Sequence, residues 1–340
     1  NLGTATTLEL LKAGHSVVGV DNNSRKYDLG EEGNVLDNID VFPKTDSLQL
    51  IGADITDKDW EDEFPDGVDV IVHCAAQVSH PRSIEIPVRD FTVNALGTLR
   101  LLEFARRFPP KAFIHIGTAK IYGQNVDKWP LPYVEGETRY WYNSFEHVKG
   151  IDESCSVDQV GIGTPFSVSK LTADKLCQEW GKLYGLQTAV LRPGVFTGAY
   201  AKPVIYQNWV GQLVKDIMTK DHVDIIGWNG KQVRDVLHTS DLVSAIMLMI
   251  DNPPPKGEVY NIAGGMNNAI SLIEAFHKIC KMTGKHPTLG FLPKREGDWC
   301  VYVGDNSKLM KQCPEWKVTK DLDYIINEAI EQQQRITLKI

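Results

Sequence analysis

The chain has 340 residues, 42% of them hydrophobic and 24% charged, with a net charge of −8 at pH 7. That balance is ordinary for a globular chain of one large domain with an annex, or of two. There is no run of eighteen apolar residues, no lysine/arginine block and no basic stripe interleaved with aromatics, which argues against a membrane span and a nucleic-acid partner.

The six cysteines (Cys74, Cys155, Cys177, Cys280, Cys300 and Cys313) form no C-x-x-C pair, and Asn1-Leu2-Gly3 opens no signal-peptide pattern. Buried thiols in a reducing compartment, by default the cytoplasm, are the expectation.

Residues 4–12 read as a helix with Leu8, Leu10 and Leu11 as its apolar members, stopped by Gly14. Ser16-Val17-Val18-Gly19-Val20-Asp21 follows as a short β-rich run ending in an acid. Helix, glycine, strand and acid in that order form the second half of a dinucleotide-binding βαβ unit. The acid would accept hydrogen bonds from the adenosine ribose hydroxyls and repel a 2′-phosphate. Gly3 stands eighteen residues before Asp21, close to the spacing such a unit needs. The strand and two further glycines of its front half do not precede Gly3, so residues upstream of Asn1 are expected.

Residues 28–47 are polar, acidic and without a steady period, and read as a loop. Residues 48–55 read as the next strand, closing on Asp54 and Ile55, residue types suited to contact adenine. The apolar run 68–73 reads as a buried parallel strand. It leads into Cys74-Ala75-Ala76-Gln77, small residues that let the backbone approach a cofactor. Residues 89–107 have helical spacing and contain Asn94, a candidate cofactor contact whose plainer role is to satisfy a backbone group. Residues 112–116 form another apolar strand, and Thr118 places a hydroxyl at its carboxyl end, where a sheet of this kind has its ligand crevice. The stretch 124–163 is long, polar and aromatic; a loop of that size is usually functional or carries small elements of its own.

Thr164-Pro165-Phe166-Ser167-Val168-Ser169-Lys170 opens a helix over 165–184. Four residues separate Phe166 from Lys170, which puts ring and amine on one helix face. Residues 186–191 read as a strand ending in Arg192-Pro193-Gly194. Beyond residue 200 the alternation loosens. Helices are expected over 206–219, 240–250 and 270–282, with a strand near 223–226, a hairpin-like Gly227-Trp228-Asn229-Gly230, and an amphipathic surface helix over 321–334. His73, His115 and His147 are isolated, and His73 and His115, lying in apolar strands, read as satisfied core histidines. No G-x-S-x-G, no H-E-x-x-H and no ligand-spaced histidine cluster occurs, so no metal site is expected.

These residues resemble an extended short-chain dehydrogenase/reductase of the nucleotide-sugar epimerase and dehydratase group, from Gly3 to about Gln334. Within it the chain is most similar to the CDP-tyvelose (CDP-paratose) 2-epimerases. The points of likeness are Asp21-Asn22-Asn23-Ser24-Arg25, Thr118-Ala119-Lys120-Ile121-Tyr122-Gly123, Glu137-Thr138-Arg139-Tyr140 and Asp152-Glu153-Ser154. Asn208-Trp209-Val210-Gly211, Leu292-Pro293-Lys294-Arg295-Glu296 and Val303-Gly304-Asp305 add to them. Gly230-Lys231-Gln232-Val233-Arg234-Asp235-Val236-Leu237-His238 is more discriminating than any glycine motif.

The resemblance implies an α/β fold: a doubly wound Rossmann sheet over 1–200 holding NAD, and a smaller part over 201–340 that mainly holds a nucleotide-sugar, here a CDP-hexose, with some of its segments returning to the Rossmann core. It implies cofactor contacts at Gly3, Asp21, Asn22, Ser24, Arg25, Asp54, Ile55, Ala75, Ala76, Gln77, Asn94, Lys170 and Pro193. Thr118 would bond the reacting hydroxyl and Lys170 the nicotinamide ribose. Arg234 and Arg295 would take the diphosphate, with Arg139, Asn208 and Trp209 also on the substrate side. A homodimer through the helices over 90–107 and 166–184, or a protein partner in a larger complex, is implied as well.

The departure is Phe166, which stands where the family's Tyr-x-x-x-Lys pair has its acid/base. General-base help at such a step is worth typically ~10²–10⁴-fold. This leaves two expectations: a slow or inactive epimerase, or a pseudoenzyme that keeps the fold and serves as a binding or structural subunit. A dehydratase would need an acid beside Thr118, where Ala119 and Lys120 stand.

Overall fold

In the computed structural model the described residues are all but 35, 63, 66, 129–132, 144–148, 159–162, 202–207 and 339–340. His147 and the expected helix start at Tyr206 lie outside them; that helix runs over Trp209–Thr219.

The helix Leu2–Lys12 ends in a turn at Gly14 (φ +87°), where the His15 N–H reaches back to the Leu10 carbonyl at 3.0 Å. Strand β1 (Val17–Val20) then pairs in parallel with β2 (Leu48–Ile51). Between them, residues 28–47 are more ordered than their lack of period suggested. A helix over Ser24–Leu29 and short 3₁₀ segments at Glu31–Gly33 and Leu36–Val41 fill the connection. Turns that short bury no continuous face, so they leave no periodic trace in sequence. β2 is also shorter than expected, because the Asp54 carboxylate takes the Thr56 N–H at 2.8 Å and folds the chain into a turn.

Strands β3 (Val70–His73) and β4 (Ala112–Ile116) lie side by side, parallel. The short β5 (Tyr133–Glu135) and β6 (Tyr140–Tyr142) form an antiparallel pair inside the long aromatic stretch. Strand β7 (Thr188–Pro193) pairs with β4, and β11 (Glu258–Ile262) with β7, completing an all-parallel sheet ordered β11-β7-β4-β3. Both faces are covered. Ile114, Leu191 and Ile262 pack with Leu242, Ile246 and Trp316, while Phe113 and Val190 pack with Leu102, Phe104 and Cys177.

The remaining strands are β8 (Val195–Thr197), β9 (His222–Ile226), β10 (Val233–His238), β12 (Ala269–Ser271), β13 (Thr288–Leu292) and β14 (Val301–Tyr302). β10 is their hub, parallel to β8 and β14 and antiparallel to β12. The expected hairpin at Gly227–Gly230 is not one. β9 pairs in parallel with β13, and Trp228 and Asn229, at φ 40° and 49°, turn the chain out of one sheet and into another. Likewise the helix expected from residue 270 begins at Leu272, because Ala269–Ser271 is claimed by β10. The acidic terminal segment is helical over Leu322–Leu338 and buries Ile325, Ile326 and Ile330 against the helix Trp209–Thr219.

Two long helices carry the site. The first is broken into Pro87–Phe91, a π turn over Thr92–Leu96, and Gly97–Arg107. The wide turn is held by side chains: the Thr98 hydroxyl donates to the Asn94 carbonyl at 2.6 Å. The second, Pro165–Tyr184, starts on Thr164, whose N–H donates to Ser167 Oγ at 3.0 Å, and stops at Gly185 (φ +71°). A buried ion pair pins it to β7: Arg192 Nε and Nη2 donate to the two Asp174 oxygens at 2.8 and 2.9 Å.

Candidate active site

One cleft of about 1820 Å³ opens at the carboxyl ends of β1, β3, β4 and β7 and continues to the β9–β10 part. β1 and β3 share no hydrogen bonds with each other, and both line it. Such a crevice at the carboxyl ends of a parallel sheet is where α/β proteins of this kind take ligands.

At one end stand Gly3, Asp21, Asn22, Ser24, Arg25, Asp54 and Ile55. Asp21 follows β1 directly, and one of its oxygens accepts the Asn23 N–H at 2.6 Å. Asn22 Nδ2 donates to Asp54 Oδ2 at 2.6 Å, tying the two strand ends together. The buried Arg25 Nε has no partner among the described residues. Gly3 lies in the first turn of the helix Leu2–Lys12, whose N–H groups favour an anion. A carboxylate for ribose hydroxyls, an unpaired guanidinium nitrogen and a helix N-terminus are donors and acceptors that could hold the adenosine half of a dinucleotide. Ala75, Ala76 and Pro193 line the wall beyond.

Thr118, Phe166 and Lys170 also line the cleft. Lys170 is buried, and its Nζ donates to the Ile116 carbonyl at 2.7 Å. Burial pulls its pKa down to about 8. The Phe166 ring lies edge-on to His80, with centroids 6.3 Å apart, and burial pushes His80 down to about 4. Behind them the His73 and His115 rings lie 5.0 Å apart. His73 Nε2 meets Thr98 Oγ1 at 2.9 Å, but its Nδ1 and both His115 nitrogens have no partner among the described residues, so His73 is half satisfied and His115 is not.

Toward the β9–β10 part the cleft is lined by Asn208, Trp209, Arg234 and Arg295. Asn208 also caps its helix, its Oδ1 accepting the Gly211 N–H at 3.2 Å. Trp209 Nε1, Gln212 Oε1 and Gln232 Oε1 are buried polar atoms at this end without partners among the described residues. Arg234 does not pair with its neighbour Asp235, since successive strand residues face opposite ways. Its Nη2 donates to Asp298 Oδ1 at 2.7 Å. Burial alone would raise Asp298, but Arg234, Lys120 and hydrogen bonding outweigh it and hold the carboxyl well below its ordinary range.

Three of the expected site residues are placed elsewhere. Asn94 accepts the Gln77 N–H at 2.9 Å and donates to Ser169 Oγ at 3.0 Å, while Gln77 Nε2 donates to Asp90 Oδ1 at 2.7 Å; both lie in a buried network behind the cleft. Arg139 forks onto Glu274 and covers the Trp141 ring at 5.0 Å. The two residues that sequence reasoning passed over are Lys120 and Asp298. Lys120 stands in the Thr118–Gly123 run, so its place beside Thr118 was available as a signal. Asp298 carried none, since its position depends on a fold-back from far along the chain. Among the described residues no group of three His, Cys, Asp or Glu could hold a metal ion, and all six cysteines are free, with Cys74 at the cleft.

A parallel-sheet crevice ending in an acid after β1, with Thr118 and Lys170 on its wall, defines a dinucleotide-dependent protein of the Rossmann class. The chain belongs to the NAD-dependent epimerase/dehydratase family, whose model matches residues 1–263. It is 31% identical over 319 residues to the CDP-paratose 2-epimerase of Salmonella typhi, covering 91% of this chain and 89% of that one. It is 30% identical to the dTDP-glucose 4,6-dehydratase of Streptomyces niveus, with 83% and 74% covered. Its fold matches the UDP-glucose 4-epimerase of Thermotoga maritima, solved with UDP-glucose, at TM-score 0.80 and 23% identity, covering 99% and 96%. The UDP-glucuronic acid 4-epimerase of Bacillus cereus, solved with UDP-glucuronic acid and NAD, matches at 0.79 and 23%, covering 98% and 96%.

Proposed function

We propose that the protein is a nucleotide-sugar 2-epimerase of the CDP-tyvelose (CDP-paratose) type, slowed by Phe166. The observation that carries this reading is that Thr118, Phe166 and Lys170 line the same cleft as Asn208, Trp209, Arg234 and Arg295. Likeness to the Salmonella typhi enzyme over most of both chains supports the choice of sugar nucleotide. In this reading residues 1–200 hold NAD and residues 201–340 mainly hold the nucleotide-sugar. NAD supplies a reversible hydride acceptor. Asp21 holds the adenosine ribose, Thr118 bonds the reacting hydroxyl, and Lys170 orients the nicotinamide ribose. Arg295 and the Asp298-bound Arg234 face the diphosphate, and the unpaired Trp209 and Gln212 atoms are polar partners for a bound nucleotide.

Phe166 favours a second reading, in which the fold and the cofactor are kept by a binding or structural subunit without turnover. The substitution Phe166→Tyr separates the two. In the first reading it raises inversion at the sugar carbon next to the anomeric centre by roughly 10²–10⁴-fold in a CDP-hexose assay with NAD. A tyrosine variant that binds NAD and CDP-hexose but shows no inversion overturns the epimerase reading and leaves the subunit.

A further inference from the structure

The epimerase reading leaves one need unmet. The ring hydroxyl must lose its proton as its carbon loses hydride, and Phe166 has no atom to take it. Few cleft side chains qualify. Burial pushes the Cys74 thiol up to about 11, so it is not a base at neutral pH. His80 is neutral, but the Lys120 and Arg295 charges and, above all, burial oppose its taking a proton. Lys170 donates to the Ile116 carbonyl and, in the epimerase reading, is committed to the nicotinamide ribose.

Lys120 stands apart from these. Its backbone N–H donates to Thr118 Oγ1 at 3.2 Å, so the lysine shares one turn with the threonine at the carboxyl end of β4. Its side chain reaches the segment Gly297-Asp298-Trp299. The ammonium lies 4.1 Å from the Trp299 ring centroid, 3.4 Å from the Gly297 carbonyl and 3.5 Å from Asp298 Oδ1. That same Asp298 oxygen is closer to Arg234, at 2.7 Å, and also accepts the Trp299 N–H at 3.0 Å. Asp298 therefore holds the lysine in place while spending most of its charge on the arginine. About a quarter of the Lys120 side chain (23%) remains accessible.

Resting on the epimerase reading, we propose that Lys120 is the proton acceptor of this site, working where Phe166 cannot. With its amine neutral, the proton of the ring hydroxyl passes to Lys120 Nζ. Bound NAD would take the C–H electron pair as hydride while the carbon–oxygen bond becomes a carbonyl. After the keto-sugar turns and the hydride is given back to the other face, the Lys120 ammonium would return the proton, so atoms and charge balance over the cycle. The charged groups around Lys120 set its basicity: burial and Arg234 lower its pKa, Asp298 and Asp127 raise it, and the result is about 8. The neutral form needed for the first step is thus accessible just above neutral pH.

The test compares the full chain, loaded with NAD, as native protein, Lys120→Arg, Phe166→Tyr and the double variant. Arginine keeps the charge, the ring contact and the Asp298 pair but does not give up its proton. Single-turnover formation of reduced nicotinamide from CDP-hexose is followed from pH 6 to 10. The expected result is a rate that rises with pH through about 8, and a loss on Lys120→Arg of roughly 10²-fold, at least tenfold larger in the native background than in the Phe166→Tyr background. A second readout needs no turnover: competitive acetylation, read by peptide mass spectrometry, should place the Lys120 inflection near 8. Equal losses in both backgrounds, no loss in the native one, or an acetylation inflection at the ordinary lysine value of about 10.4 each overturn the proposal. Activity confined to the Phe166→Tyr protein overturns it too while sparing the epimerase reading. No hydride transfer by any of the four proteins overturns both.

Discussion

At Asp21 one carboxylate oxygen is tied to the Asn23 N–H, which leaves the other free to accept from a ribose hydroxyl. A 2′-phosphate in the same place would sit against that charge at short range. The native protein is therefore expected to release NAD, and no NADP, on denaturation. Asp21→Ser should shift preference toward NADP by roughly tenfold or more, read by equilibrium dialysis; stoichiometric NADP from native protein would sink the idea. The placement of residues of this kind was legible because it follows from position on one strand or one helical turn. Asp21 ends β1, and Phe166 and Lys170 are one turn apart. Lys120 was legible as a neighbour of Thr118, but its environment was not, because Asp298 and Trp299, far along the chain, build it. Arg139 was expected on the substrate side, and in the structure its guanidinium pairs with Glu274, in a capping position on a distant helix.

Among the elements, β10 shows how a strand sorts its residues. Arg234 turns to the cleft while Asp235 turns inward, where its Oδ2 accepts the Gly265 and Gly304 N–H groups at 3.0 and 2.9 Å. Its Oδ1 has no partner among the described residues, and burial pushes its pKa up to about 7. The folded state then keeps a proton that the unfolded chain gives up near the ordinary carboxylate value of about 3.9. Stability from this group is full below that value and is lost as pH rises through about 7. Asp235→Asn keeps a neutral side chain at every pH. Its stability relative to native should grow from pH 4 to 7, by up to ~4 kcal/mol, and level off above. Urea unfolding at pH 5 and pH 8 measures it; a difference independent of pH would contradict the burial argument. The long elements were readable from their periods, and the helix Pro165–Tyr184 falls on its expected bounds. The π turn at Thr92–Leu96 was not, because it depends on Asp90 and Ser169 converging on Asn94 from two helices.

Across the whole molecule, the face next to the site has an unusual surface. The helix Pro165–Tyr184 packs against His80–Glu85 and Pro87–Phe91, and together these expose Ile84, Val88, Phe91, Val168, Leu183 and Tyr184. Val88 is 79% and Leu183 69% exposed, values more usual for charged side chains. Large apolar side chains on packed neighbouring helices mark an association surface more often than a solvated one. A two-fold pairing lets the same helices meet their own copies, which suits a self-complementary apolar face. A stable pair of this kind removes roughly 1,600 Å² from water, and it would also stiffen the helix that presents Phe166 and Lys170. The native protein is expected to run as a dimer by light scattering at micromolar concentration. Val88→Glu combined with Val168→Glu, both at exposed positions that leave the core untouched, should yield a folded monomer. A native monomer with these side chains in water would refute self-association. A variant pair that stays dimeric would move the interface to another face of the molecule.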